Sequence, residues 1–230
     1  DTELRLAEPI ADEALAAVVT DSNAVQRFEI WGSEPASIAN SDGLAVMRTY
    51  PDRGHGSFSL FGAPADTSLV TYPVITGRWL SPDDTDAVVL TMQSHTPGRD
   101  VGDRIAISVD GEPHTFTVIG VVREVGGGGA YVTRSELDRI TNGSAGQMLR
   151  VKFDPSVPPG DASSRFEASL AEAHIGVERA FGIETLYEAL VGHVEVPVSM
   201  LVSAAVLLAA IGGLGLASMM TIAVVERTRE

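Results

Sequence analysis

The chain has 230 residues, no cysteine and a formal charge of −15, with 31 Asp plus Glu against 16 Lys plus Arg. Beyond residue 195 only Glu226, Arg227, Arg229 and Glu230 are charged, and they cancel, so residues 1–195 carry the whole excess. This excludes disulfides, thiol nucleophiles and Cys-based zinc sites, offers no basic stripe for nucleic acid and opposes adhesion to anionic lipid.

The N-terminus, DTELRLAEPI, is polar and lacks the apolar core of a signal peptide. Ile10 to Val19 reads as a short amphipathic helix with Asp12 and Glu13 in its first turn. AVQRFEIWG (24–32) alternates like a strand and is expected to end at Gly32. GLAVMRTY (43–50) and GSFSLFG (56–62) are further short strands, punctuated by PDRGHG and GAPAD.

VITGRWLSPDDTDAVVLT (74–91) is expected to form a loop around Gly77 and Pro82, then a compact strand over Ala87 to Leu90. Ile105, Ile107 and Val109 alternate up to Asp110-Gly111, and Phe116 and Val118 alternate on the return. Asp-Gly between alternating runs predicts a hairpin, because the turn needs positive φ. GGGGAYVT is a turn into a strand, and RSELDRIT a short helix.

QMLRVKF (147–153) is a strand. DASSRFEASLAEAH is a helix with Asp161 as N-cap and Phe166, Leu170 and Ala173 on one face. IGVERAF is a second strand, and IETLYEALVGHVEVPV runs on helically, with Pro197 at a first turn or kink. Helix–strand units at both ends with short strands between predict an α+β, two-lobed domain. The chain ends form a base lobe near a membrane, and the strand-rich middle forms an outer lobe.

Val196 to Val225 holds no charge. As a helix it reaches about 45 Å at 1.5 Å per residue, more than the ~30 Å hydrocarbon core requires. Arg227 and Arg229 directly follow it, against Glu195 before it. Basic flanks favour the cytoplasmic side, which puts residues 1–195 outside the cytoplasm. Within the segment Ala205, Ala209, Gly213 and Ala217 recur every fourth residue, with Gly212 and Gly215 beside them. Such a row lets a second helix approach closely.

Catalytic chemistry finds little support. VGGGGA lacks the Lys-Ser/Thr of a phosphate loop, and NGSAG has Asn142 where a nucleophile elbow needs glycine. Asn142-Gly143-Ser144 is a formal glycosylation triplet, better read as a turn. His55, His95, His114, His174 and His193 form no metal-binding spacing. Asp83, Asp84 and Asp86 lack the glycine and distant glutamate of a calcium loop. The expectation is no enzyme, no catalytic or metal residue and no cofactor.

GGLGLASMMTIAVVERTRE resembles the second membrane helix of the FtsX-like/MacB-like permeases of ABC transporters, with Glu226, Arg227, Arg229 and Glu230 matching the family ending position by position. ITGRWL, VGDRIAI, FTVIGVVRE and AYVTRSEL resemble, in order, elements of the family's MacB-like periplasmic core. The resemblance covers roughly residues 70–155 and 190–230, and the N-terminal third weakly. SHTPGRD departs from it, breaking what is often a helix before V-G-D.

The resemblance implies three parts: residues 1–192 as an extracytoplasmic MacB-like core domain, 193–225 as a transmembrane helix, and 226–230 as the start of a cytoplasmic coupling segment. It implies a permease subunit in the cell membrane whose outer domain is moved by a cytoplasmic ABC ATPase, in mechanotransmission, export or envelope remodelling. Partners are then that ATPase, through Glu226, Arg227, Arg229 and Glu230, and other membrane helices of the same permease as a dimer or pseudo-dimer. It also implies an earlier membrane helix ahead of Asp1. The alternatives are a single-span anchored ligand-binding or sensor domain and a membrane-tethered hydrolase.

Overall fold

The computed structural model of the chain describes residues 2–38, 58–124 and 128–228. The expected strand Gly43–Tyr50, His55 and part of the glycine run fall outside them. The chain divides into two compact units, Asp1–Phe181 and Gly182–Glu230.

In the first unit the elements run β1 (Thr2–Leu6), α1 (Asp12–Asp21), β2 (Val25–Ile38), β3 (Ser59–Ala63), β4 (Val74–Gly77), β5 (Ala87–Thr91), β6 (Arg104–Val109) and β7 (Glu112–Val122). Then come β8 (Gly129–Thr133), α2 (Arg134–Thr141), β9 (Gly146–Phe153), α3 (Pro159–Glu172) and β10 (Val177–Gly182). The strands form one sheet in the order β10-β1-β9-β2-β3-β8-β5-β7-β4, with β6 pairing both β2 and β7. This bears out the α+β class.

The double pairing of β6 has a topological consequence. Its antiparallel contacts to β2 (Ile38↔Ile107) and β7 (Arg104↔Thr117) close the path β2-β3-β8-β5-β7-β6 on itself. The middle of the chain is therefore a small closed barrel, which leaves these strands without a free edge. Its interior is filled by alternate residues, among them Leu60, Val88, Leu90, Ile107, Phe116 and Val118, with Leu137 of α2 in the same cluster. β5 is buried at every position because it lies between β8 and β7 with packed residues on both faces.

The two ends of the first unit build the second core. Leu4 and Leu6 of β1, Leu149 and Val151 of β9, Leu15 and Val19 of α1, and Phe166 and Leu170 of α3 pack together. The expected lobes thus correspond to two cores along one sheet, and β2, fourteen residues long, runs through both.

Local chemistry explains most boundaries. At the predicted hairpin Asp110 and Gly111 have φ of 51° and 84°, and Val109 pairs with Glu112. Thr133 caps α2 by accepting from the Glu136 backbone N–H at 3.2 Å, and Asn142 ends the helix in the left-handed region.

Four expectations need correction. β2 does not stop at Gly32 but continues to Ile38. A Cβ on Gly32 would lie 2.5 Å from Leu137 Cδ2, so this glycine admits α2 rather than turning the chain. The segment around Gly77 contains a strand, β4, paired to β7. The N-cap of α3 is Pro158, with Asp161 inside the first turn, because Pro at the first helical position needs no N–H partner. Finally, Ala162 rather than Ala173 completes the buried face of α3, since the helix ends before Ala173 and leaves it exposed.

Candidate functional site

The second unit is one helix, α4 (Ile183–Arg227), which at 1.5 Å per residue is about 68 Å long. Val191–Ile222 is long and apolar enough to cross a membrane, and none of it is buried within the chain. Pro197 lies inside the helix. Ser199, Ser203, Ser218 and Thr221 return their hydroxyls to carbonyls of the preceding turn, so an apolar surrounding leaves no hydroxyl unpaired.

Ala205, Ala209, Gly213 and Ala217 are exposed. Each step of four residues advances about 40° beyond a full turn, so the row winds around the helix, the geometry of a right-handed crossing. A Cβ added at Gly212, Gly213 or Gly215 meets nothing within 4 Å, so packing within this chain does not require glycine there. The backbone of Glu226 and Arg227 ends α4, while Arg229 and Glu230 lie outside the described residues.

The first unit holds a cluster that sequence reasoning missed. On the outer face of the barrel Tyr131 contacts Trp31, Phe61, Tyr72 and Trp79, with ring centroids 5.2–6.2 Å apart. Arg150 lies 4.1 Å over the Trp31 ring, a cation–π contact. Its Nη2 pairs with Glu3 at 2.9 Å and its Nη1 donates to the Tyr72 hydroxyl at 3.2 Å. Tyr131 donates to Glu124 Oε2 at 2.6 Å and lies 3.1 Å from the Tyr72 hydroxyl. A hydroxyl has one proton; with that of Tyr131 committed to the carboxylate, the Tyr72 proton serves the link between the rings. The order of donation is Arg150 to Tyr72 to Tyr131 to Glu124.

Burial pushes the Glu124 carboxyl above its ordinary value, against the opposing bond from Tyr131 and the charge of Arg150. Burial likewise raises Tyr72, and carries Tyr131 well above the usual phenol value. For Arg150 burial acts downward but Glu3 and the tyrosines outweigh it, so the guanidinium stays charged. Trp79 Nε1 and Arg150 Nε are buried without a hydrogen-bond partner. No group of three or more His, Asp or Glu able to hold a metal occurs among the described residues. The cluster joins residues far apart in the chain, from Glu3 to Arg150, and no local pattern marks it.

Tyr131→Phe is expected to destabilise the protein by about 1.5–3 kcal/mol at pH 7, the range for a hydrogen bond to a charged group, and by less at pH 5. The sign follows from the raised Glu124 value. A buried acid with a raised pKa favours folding when protonated, and that contribution is lost as pH rises through the folded value. Removing the tyrosine proton raises that value further. Urea unfolding of the detergent-solubilised protein at the two pH values measures the difference.

No family model and no curated protein matches the chain. Among solved structures, the periplasmic region of MacB from Actinobacillus actinomycetemcomitans matches over 82% of this chain and 92% of that one, at 16% identity and a TM-score of 0.50. The extracellular domain of the noncanonic ABC-type transporter YknZ from Gram-positive bacteria matches over 77% and 100%, at 16% identity and a TM-score of 0.44. The chain therefore carries the α+β fold of the MacB periplasmic region, followed by one helix of membrane-spanning length.

Proposed function

We propose that the chain is part of a permease subunit of an ABC-type transporter. Residues 1–192 form its extracytoplasmic domain, 193–225 cross the membrane, and 226–230 begin the segment that meets a cytoplasmic ATPase. The observation that carries this reading is the pairing of a MacB-type fold with a long apolar helix, exposed over Val191–Ile222, that ends at Glu226-Arg227. Closure of the ATPase displaces the inner end of the helix, and the helix, being rigid, carries the displacement to its outer end. The small-residue row supplies the face that packs on other membrane helices of the permease. The chain itself does no chemistry; its outer domain passes movement to an envelope partner.

The absence of cysteine makes the topology directly testable. In spheroplasts, Glu112→Cys is expected to react with a membrane-impermeant maleimide, and Thr228→Cys only after permeabilisation. The complete permease is expected to co-purify with an ABC ATPase and to alter its turnover. Correct labelling without any associated ATPase would favour the single-span sensor; labelling of Thr228→Cys from outside would reverse the orientation.

A further inference from the structure

Residues 64–73 join β3 to β4 without helix or strand. They cover part of the aromatic face, with Ala65, Val70 and Tyr72 packed against the cluster that holds Trp31, Tyr131 and Met148. Their only internal backbone bond of note is a turn, Thr67 N–H to Pro64 O at 3.1 Å. The middle of the segment is held by a single carboxylate. Glu29 accepts from Thr67 Oγ1 at 2.6 Å, from the backbone N–H of Ser68 at 2.7 Å and of Leu69 at 3.1 Å, and from Ser68 Oγ at 3.3 Å. The same carboxylate accepts the indole N–H of Trp31 at 3.0 Å. Tyr72 is the second anchor, through Arg150 and Tyr131.

A segment tied to the neighbouring strand at its end, where Arg123 N–H donates to Pro73 O at 2.9 Å, and fixed through its middle chiefly by one side chain, is the kind of element that opens below the global unfolding free energy. Bonds to an ionised carboxylate are the strong ones, so the hold is concentrated at one point. We propose that residues 64–73 are a strap latched by Glu29, which opens as a unit while the barrel stays folded and uncovers the face of Trp31 and Tyr131. The device stands whether or not the chain works with an ATPase.

The latch is also pH-dependent. Burial acts to raise the Glu29 carboxyl, but the bonds from Thr67, Ser68, Trp31 and Leu69 outweigh it and hold it below its ordinary value. The other charged groups around it are Arg27 on the same strand, Arg150 opposite it on β9 and Asp66 in the strap. A depressed acid stabilises the closed form above its unfolded value, and that contribution is lost as pH falls through the folded value. Opening therefore belongs to the acid side of the ordinary glutamate range.

Hydrogen exchange on the full chain in detergent tests the latch. Glu29→Gln is expected to speed exchange of the backbone amides of 67–69 about tenfold or more, with strands β5 to β7 unchanged. Thr67→Val, which removes one bond from the strap side and keeps the carboxylate, is expected to give a smaller rise in the same peptide. The only two tryptophans, Trp31 and Trp79, both lie in the aromatic cluster, so fluorescence reports opening. An acid-induced shift in the parent protein should be absent from Glu29→Gln. The proposal is overturned if 64–73 exchanges in step with the barrel, if neither variant changes it, or if both proteins show the same acid shift.

Discussion

Gly213→Leu is expected to leave the extramembrane unit folded and to reduce ATP-dependent function of the complete transporter about tenfold. The first half rests on the open space around Gly213, where an added Cβ meets no atom within 4 Å. The second half rests on the role proposed for the row Ala205, Ala209, Gly213 and Ala217. Contacts between membrane helices across small residues depend on backbone proximity, and losing roughly 1–2 kcal/mol of them is about a tenfold change. Ile211→Leu is the control, since residue 211 lies about 160° around the helix from 213 at 100° per residue. It should behave as the parent. ATPase turnover in reconstituted membranes, read beside transport or envelope function in cells, separates the outcomes. If Gly213→Leu is as active as Ile211→Leu, the helix is an anchor and the row has no partner.

Gly120→Ala is expected to cost about 3 kcal/mol or more of stability, at the upper end for overpacking. A Cβ there would sit 2.1 Å from the carbonyl oxygen of Arg78 and 3.0 Å from two further backbone atoms of the same residue. Gly120 pairs with Gly77, itself at φ +74°, and the Arg78 N–H donates to Ile119 O at 3.0 Å. Two backbones meet at this point, so no side chain can swing aside. Gly98→Ala is the comparison without a clash, because Gly98 has φ +84°, a left-handed backbone that Gly120 does not share, and nothing within 4 Å. It should cost only about 1–2 kcal/mol, the left-handed penalty for an L-residue. Thermal unfolding of both variants in detergent makes the comparison. Equal losses would mean that β4 moves aside and that its junction with β7 is not rigid.

These predictions draw on features of unequal legibility. The hairpin at Asp110-Gly111 and the apolar helix were readable because each depends on residues adjacent in sequence. Strand β4 was not. It has four residues, all exposed, and a terminal glycine, and only its pairing with β7 makes it a strand. Gly32 was misread because a glycine that ends a strand and one that admits a packed side chain look the same in sequence; Leu137, far along the chain, decides between them.

The sequence by itself determined the class and the order of parts: an acidic α+β unit, then one membrane-length helix carrying a row of small residues and a charged end. These follow from period, turn chemistry and the length of an uncharged run, which are local properties. Tertiary structure alone decided that the middle strands close into a barrel, because β6 pairs β2 on one side and β7 on the other. It also decided that Arg150, Tyr72, Tyr131 and Glu124 meet, and that Glu29 holds a segment some forty residues away in the chain. Each depends on strand register across the sheet, where a slip of one residue would send Glu29, Tyr131 or Arg150 to the opposite face.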